Sequence, residues 1–256
     1  CFLAISAIAL GSFKYVVQIG HTTIESMSDL MTAVLPQMMI LVTGLGHIHT
    51  ASAIFPLMMA ACTAFARGIG LIVFPLIALS AILNLAEKMT DTIKLERLGK
   101  LLYTLAEAIM GLMLTFFIGI FTLRSIYGSV MDAITLRTGK FVTDTFFPVI
   151  GGYLSDALET AAGYVVLLKQ AVGILGLLTI FGICVFPVLK IGVIALIYKV
   201  SAAVVEPLGD SRISQVLDVM GNHLLLVLAA VAAVGLMFFV LVAILVSTGN
   251  SVILLR

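Results

Sequence analysis

One segment of this sequence, Leu224 to Val246, consists only of apolar residues and a single glycine. As an α-helix it would be about 35 Å long, enough to cross the roughly 30 Å hydrocarbon core of a bilayer. A helix that is apolar on every side is stable only in lipid or deep inside a large protein. The whole chain agrees with this, because 62% of its 256 residues are hydrophobic and 11% are charged. The sequence therefore predicts an all-α, polytopic integral membrane protein folded as a helical bundle.

Two further segments have the length and composition of membrane spans. Leu101 to Leu123 is interrupted only by Glu107 near one end, where a long side chain can reach the headgroups. The segment from Cys1 to about Ile19 is a third span. Because the chain opens with Cys1 in apolar sequence, we expect an additional N-terminal region with a targeting signal to precede it.

Two other apolar stretches are longer than one crossing requires. Ala51 to Ala86 would be about 54 Å long as a straight helix, and Ala171 to Val204 is interrupted by Pro187 and Lys190. Proline removes a backbone donor and disfavours an uninterrupted helix. We therefore expect each stretch to form two broken or re-entrant pieces, with breaks at Gly68, Gly70 and Pro75 in the first and at Pro187 in the second. Pro36 and Pro148 are predicted helix breaks elsewhere in the chain.

The segments between the apolar stretches have mixed polarity. Glu87 to Lys100 and Glu206 to His223 place apolar residues at helical spacing among charges. This pattern is typical of helices that lie on a membrane surface. We expect both segments to be amphipathic connectors that contact partners.

The prolines suggest an internal duplication. Pro36 and Pro75 are 39 residues apart, as are Pro148 and Pro187. This spacing predicts a first membrane repeat over 1–112 and a second over 113–256, the second including the last span. Chance agreement in a chain dominated by few residue types is the alternative, and the pattern leaves open whether the repeats are parallel or inverted.

Four ionisable residues lie inside apolar sequence: Arg67, Glu107, Lys169 and Lys190. A charge at the centre of a span costs about 2.5–3.5 kcal/mol on insertion scales, so each must pair, reach the interface or face water. One interpretation is a polar route or binding site within the bundle. The other is that Glu107, Lys169 and Lys190 mark helix ends, while Arg67 lies deep in the bilayer or at the tip of a re-entrant hairpin.

Several classes of function lack their residues in this sequence. A net charge of +1 offers no basic surface for nucleic acid. Cys1, Cys62 and Cys184 are far apart, and His47 and His49 alone are weak evidence for a metal. No Walker loop, nucleophile elbow or HExxH pattern occurs. We therefore expect no enzyme activity, no catalytic residue, no metal and no cofactor, and any ATP hydrolysis would come from a partner.

Three longer stretches resemble one known family. Residues 35–70, 151–178 and 198–222 are similar to the stage III sporulation protein AE family of endospore-forming bacteria, and the resemblance extends over essentially the whole chain. These similarities are whole segments without catalytic motifs. They identify a family more specifically than a mechanism.

The resemblance implies a multispanning component of the transenvelope complex between mother cell and forespore, in the mother-cell-derived outer forespore membrane. It implies a channel or secretion-like apparatus needed for forespore development. The partners it implies are a secretion-type ATPase, small membrane proteins, ring-forming proteins and a forespore channel protein, with self-association into a homo-oligomer also open.

Two other functions are compatible with the residues themselves. The first is a stand-alone secondary transporter or permease for a small solute, in which Arg67 among broken helices would attract an anion. The second is a structural scaffold without a conducting route. Both remain alternatives to a component of a larger assembly.

Overall fold

The helices of this protein are long because most apolar stretches continue into their polar flanks without a break. The computed structural model describes residues 2–45, 55–89, 95–146, 151–208 and 211–247, with side chains described except at 2–3, 89, 123–159, 162, 208 and 211. Its helices are α1 (Phe2–Gly44), α2 (Phe55–Gly68), α3 (Phe74–Met89), α4 (Glu96–Phe146), α5 (Gly151–Val205) and α6 (Ser211–Ser247). A short 3₁₀ turn, Glu206–Leu208, lies between α5 and α6.

Five helical segments in the described part of the chain are long and apolar enough to cross a membrane. They are Ala4–Gly44, Phe55–Lys88, Glu96–Thr122, Gly163–Val205 and Arg212–Ser247. The last of these contains the charge-free segment from Leu224, and the third contains most of the span predicted from Leu101. The predicted helical membrane class is confirmed.

The predicted interruption of α-helical geometry near Gly68, Gly70 and Pro75 is present, but within the described residues 55–86 the chain does not turn back on itself. Between α2 and α3 lies a π-helical turn, Ile69–Val73, and the backbone N–H of Phe74 donates to the carbonyl of Ile69. A π turn adds one residue to a helical turn and lets the helix continue. Pro75 follows it, at a position where its ring would crowd the carbonyl of the preceding turn in an ordinary α-helix. Residues 55–89 therefore form one rod, here called the α2–α3 rod, and Gly68 and Gly70 mark its π turn instead of a break.

The predicted division of residues 171–204 into two pieces is also wrong. Pro187 lies inside the continuous helix α5, and Pro36 lies inside α1. Membrane helices tolerate interior proline because neighbouring groups and small adjustments satisfy the freed carbonyl. Pro148 is outside the described residues.

The two predicted connectors are mostly the ends of helices. Residues 87–89 complete α3 and Glu96 opens α4. Ser211 opens α6, so that most of the segment 206–223 extends the last span. On that extension Val216 and Met220 are buried within the protein, so part of its apolar face packs internally instead of lying on the membrane surface.

The chain divides into two compact units, each assembled from segments that are distant in sequence. The first unit comprises Cys1–Ser28, Ala64–Thr115 and Phe181–Leu236. The second unit comprises Asp29–Thr63, Phe116–Ile180 and Met237–Arg256. In the second unit, Gly173 lies against Val246 and Met38, which brings parts of α5, α6 and α1 together.

The duplication at 1–112 and 113–256 remains a prediction, and the matched positions have different surroundings. Phe74 is 1% exposed, whereas Phe186, its counterpart in the pattern, is 76% exposed. The counterpart of the π turn falls within α5, which is α-helical throughout. Phe74 and Phe186 therefore have different structural roles.

Helices in the first unit approach closely where a side chain is missing. A Cβ atom placed on Gly20 of α1 would lie 3.0 Å from the Phe74 ring and 3.2 Å from a Val231 methyl. A small residue here lets α1 pack against both the α2–α3 rod and α6. Earlier in α1, a Cβ atom on Gly11 would meet no heavy atom of another described helix within 4 Å.

We expect Gly20→Leu to destabilise the protein by about 1–3 kcal/mol, because the larger side chain must displace a buried ring and a branched side chain. Gly11→Leu, on the same helix, is the matched control and should cost nothing. The measurement is the melting temperature of each purified variant in detergent. Equal melting temperatures for the two variants would contradict this packing.

Candidate functional site

The four charges predicted inside the membrane occupy different environments. Arg67, Glu107 and Lys190 have exposed side chains in the first unit, whereas Lys169 in the second unit is 0% exposed. Within the described residues, the structure does not gather Arg67, Glu107 and Lys190 into one ion-paired cluster. The interpretation of Lys169 as a residue at a helix end disagrees with its burial, since it lies inside α5 among apolar spans.

Lys190 has a specific partner on another helix. Its ammonium donates a hydrogen bond to the Tyr15 hydroxyl at 2.5 Å and lies 5.0 Å from the centre of the same ring. A cation over an aromatic face is stabilised most where water is scarce. This contact ties α5 to α1 at an exposed position.

A buried polar network joins three helices of the first unit. Ser80 of α3 is 0% exposed, and its hydroxyl donates to the backbone carbonyl of Gly99 at 2.7 Å, at the start of α4. The same hydroxyl oxygen lies 2.9 Å from Nε2 of His223 on α6. Asn84 donates to it from one turn further along α3, at 3.4 Å. Ser80 is therefore the centre of the network.

His223 is held on both sides of its ring. It is 2% exposed, and its Nδ1 lies 2.7 Å from the carbonyl of Val219, to which it must donate because a carbonyl only accepts. The ring of Tyr103 on α4 packs edge-on against it, with centroids 5.2 Å apart. These contacts fix the orientation of the imidazole, and Nε2 points at Ser80.

Glycine at position 99 makes the network possible. A Cβ atom there would collide with the side-chain amide oxygen of Asn84. Without that Cβ, the first turn of α4 can approach α3 closely enough for the Gly99 carbonyl to reach Ser80. The sequence pattern places His223 at the end of a connector and does not single out Ser80. The available signal was a serine and an asparagine one turn apart in the otherwise apolar residues 74–86.

A second set of polar contacts closes the α5–α6 hairpin. Lys199 forms an ion pair with Asp218 at 2.6 Å, and Asn222 donates to the other carboxylate oxygen at 3.2 Å. One turn away, the buried Ser214 hydroxyl donates to the carbonyl of Ala202. Exposed ion pairs contribute little stability, so the buried serine bond is the stronger restraint of the two.

Helix α1 carries a polar face that sequence reasoning also missed. Lys14, Gln18, Thr22, Glu25 and Ser26 recur at helical spacing, and all five are exposed. His21 lies between them and is 3.9 Å from the Glu25 carboxylate. The signal was a period of three to four residues in the polar positions between two apolar ends.

Metal binding has no support in the described residues, among which no group of three histidine, cysteine, aspartate or glutamate side chains is close enough to hold an ion. His47 and His49 lie outside the described residues. Cys62 is a free, buried thiol and Cys184 is free and half-buried.

We expect Ser80→Ala to destabilise the protein by about 1–3 kcal/mol, because the Gly99 carbonyl and His223 would remain buried without their partner. Thr115→Ala is the control, since this exposed hydroxyl donates only one turn back, to the Gly111 carbonyl of its own helix. The measurement is thermal unfolding in detergent. A loss no greater than that of the control would show that the network contributes nothing to stability.

Comparison with known proteins identifies a family. Residues 1–249 match the family described as stage III sporulation protein AE. The chain is 33% identical over 255 residues to stage III sporulation protein AE of Bacillus subtilis (strain 168), covering 100% of this chain and 64% of that relative's length. The chain thus spans just under two thirds of the curated relative that it matches. No solved structure matches it. Since the match runs through all the described helices, this chain belongs to the stage III sporulation protein AE family.

Proposed function

We propose that this protein is a non-enzymatic, multispanning component of a channel or secretion-like complex between mother cell and forespore. The observation that carries the proposal is the family match over residues 1–249 in a chain with five candidate spans. An integral membrane sporulation protein without a nucleotide-binding or catalytic motif fits a platform better than a motor. Energy would come from a secretion-type ATPase partner.

The proposed location is the mother-cell-derived outer forespore membrane. In that position the protein would contact small membrane proteins, ring-forming proteins in the intermembrane space and a forespore channel protein. Polar helix ends, such as the start of α4 and the start of α6, offer the surfaces for these contacts.

Co-purification from sporulating cells tests this function. We expect crosslinking in intact cells, followed by mild detergent extraction, to recover other sporulation proteins with the tagged chain. Extraction without crosslinking from vegetative cells that express the same tagged chain is the control. Recovery of the protein alone after crosslinking would contradict membership of a complex.

The distribution of basic residues supports one orientation. With each of the five candidate spans crossing the membrane once, the connections 89–95 and 206–210 would share one side, and 45–54 and 123–162 would share the other. The connection 45–54 contains no lysine or arginine. Basic residues are enriched near cytoplasmic span ends. We propose that the side of 89–95 faces the mother-cell cytoplasm. Its span ends carry the basic residues Lys88, Lys94, Arg97, Lys100, Lys199 and Arg212, whereas the other side carries Arg124, Arg137, Lys140 and Arg256, together with the buried Lys169.

Two exposed positions test this orientation in a variant whose native cysteines are replaced. Arg97→Cys should react with a membrane-impermeant thiol reagent in inverted vesicles, where the cytoplasmic face is outermost. Thr43→Cys, near the opposite end of a span, should react in right-side-out vesicles. The reverse pattern would contradict the orientation.

A stand-alone transporter for a small anion is the second candidate, and the exposed Arg67 within a membrane-spanning rod favours it. In that case the purified protein in liposomes should take up solute, and Arg67→Ala should abolish uptake. Lys88→Ala, at the end of the same rod, is the matched control. Uptake that survives Arg67→Ala would remove this residue from the mechanism.

A further inference from the structure

The polar face of α1 is unusual for a membrane helix because its most polar part is in the middle of the helix. It consists of Lys14, Gln18, Thr22, Glu25 and Ser26, with Asp29 continuing it along the same helix. The Glu25 side chain is 71% exposed and that of His21 is 44% exposed. Of the five candidate spans, the one that contains α1 is the least apolar.

The contacts of α6 show how deep this face lies. Gly235 is the midpoint of the charge-free segment 224–246, which must sit across the hydrocarbon core. A Cβ atom on Gly235 would lie 3.7 Å from the sulfur of Met27. Nearer the start of α6, Gly20 lies against Val231. Because Glu25 is two residues from Met27, it lies about 3 Å along the helix axis from the level of the bilayer centre.

Arg67 reaches the same depth from the neighbouring helix. A Cβ atom on Gly70 would lie 3.1 Å from the His21 ring, so the two residues are at one level. Gly20, just before His21, lies against Phe74, which follows Gly70, so the two helices run in opposite directions. Glu25, one turn after His21, is therefore level with Arg67, about one turn before Gly70. Among the described residues, Arg67 and Glu25 form no ion pair.

Exposure of these groups to lipid would be expensive. An acidic or basic side chain at the centre of a span costs about 2.5–3.5 kcal/mol on insertion scales, and residues at this depth are too far from the interface to reach it easily. Such residues normally face protein or a water-filled cavity. Glu25, with most of its surface open and only a half-exposed histidine nearby, needs one of these two surroundings.

We propose that the polar face of α1, together with Arg67, lines a water-filled path through the membrane. Its occupants are water and small hydrophilic ions. The charged groups favour water over a protein partner, because Lys14, Glu25 and Asp29 would each need a buried counter-charge at a helix contact, whereas water solvates all three. Lys190, held over Tyr15, adds a cation on the adjoining surface.

This inference rests on the proposed function, because a channel component needs an aqueous surface and a scaffold does not. It adds to that function the helix face that provides the surface. Membership of a complex does not require Glu25 and Arg67 to lie at this depth, so the two ideas can fail separately.

The test is cysteine labelling in membranes of cells that make the full protein, in a background without native cysteines. The positions are Gln18, Thr22, Glu25 and Ser26, each replaced by cysteine, and the reagent is a charged, membrane-impermeant methanethiosulfonate. Leu71→Cys is the matched control, because Leu71 is 74% exposed, apolar and next to Gly70 at the same depth. Since the reactive thiolate forms in water and not in hydrocarbon, we expect the four positions to react at least about tenfold faster than Leu71→Cys.

Three results would overturn the proposal: no reaction at the four positions, reaction equal to that of Leu71→Cys, or reaction in detergent but not in the membrane. The last result would mean that another protein covers the face. If sporulation partners co-purify but the four introduced cysteines do not react, the proposed water path is refuted and membership of the complex is supported. If the positions react but no partner is recovered, the complex fails and the water path belongs to a self-contained transporter.

Discussion

The structure depends on the requirement that backbone polar groups be satisfied where the solvent is hydrocarbon. In lipid an unpaired N–H or carbonyl costs several kcal/mol, so a chain that is 62% hydrophobic must keep its helices unbroken across the membrane. This explains why Pro36 and Pro187 lie inside continuous helices and why the rod containing Pro75 widens into a π turn. Each solution keeps the chain helical where a turn would expose the backbone.

The same requirement governs the side chains. Ser80 and His223 are buried at the helix contacts of the first unit, where the Ser80 hydroxyl donates to the Gly99 carbonyl and the His223 ring lies between Ser80 and the Val219 carbonyl. The polar face of α1 is the opposite case, because its side chains are exposed at a depth where lipid would penalise them. One group of polar residues therefore holds helices together, and the other needs water or a partner protein.

The proposed platform in a larger complex would use both groups. A rigid network at Ser80 fixes three helices relative to one another, which is what a component that bears partners requires. A hydrated face would give the complex a route for solutes without any moving catalytic part. The family match covers the helices that carry both features.

The sequence alone determined that the long apolar segments lie in the hydrocarbon core of a bilayer and that the fold is a helical membrane bundle. The length of an apolar segment and its lack of charge decide whether it can span a bilayer. The sequence also identified four costly charges inside apolar sequence: Arg67, Glu107, Lys169 and Lys190. The helix breaks predicted at Pro36 and Pro187 were wrong. Proline removes a backbone donor locally, but groups on neighbouring helices decide whether the helix continues. Only the tertiary structure decided that Lys169 is buried and Arg67 exposed, since burial depends on which helices pack together. The pairing of Ser80 with His223, 143 residues away, is likewise a product of packing that no local pattern encodes.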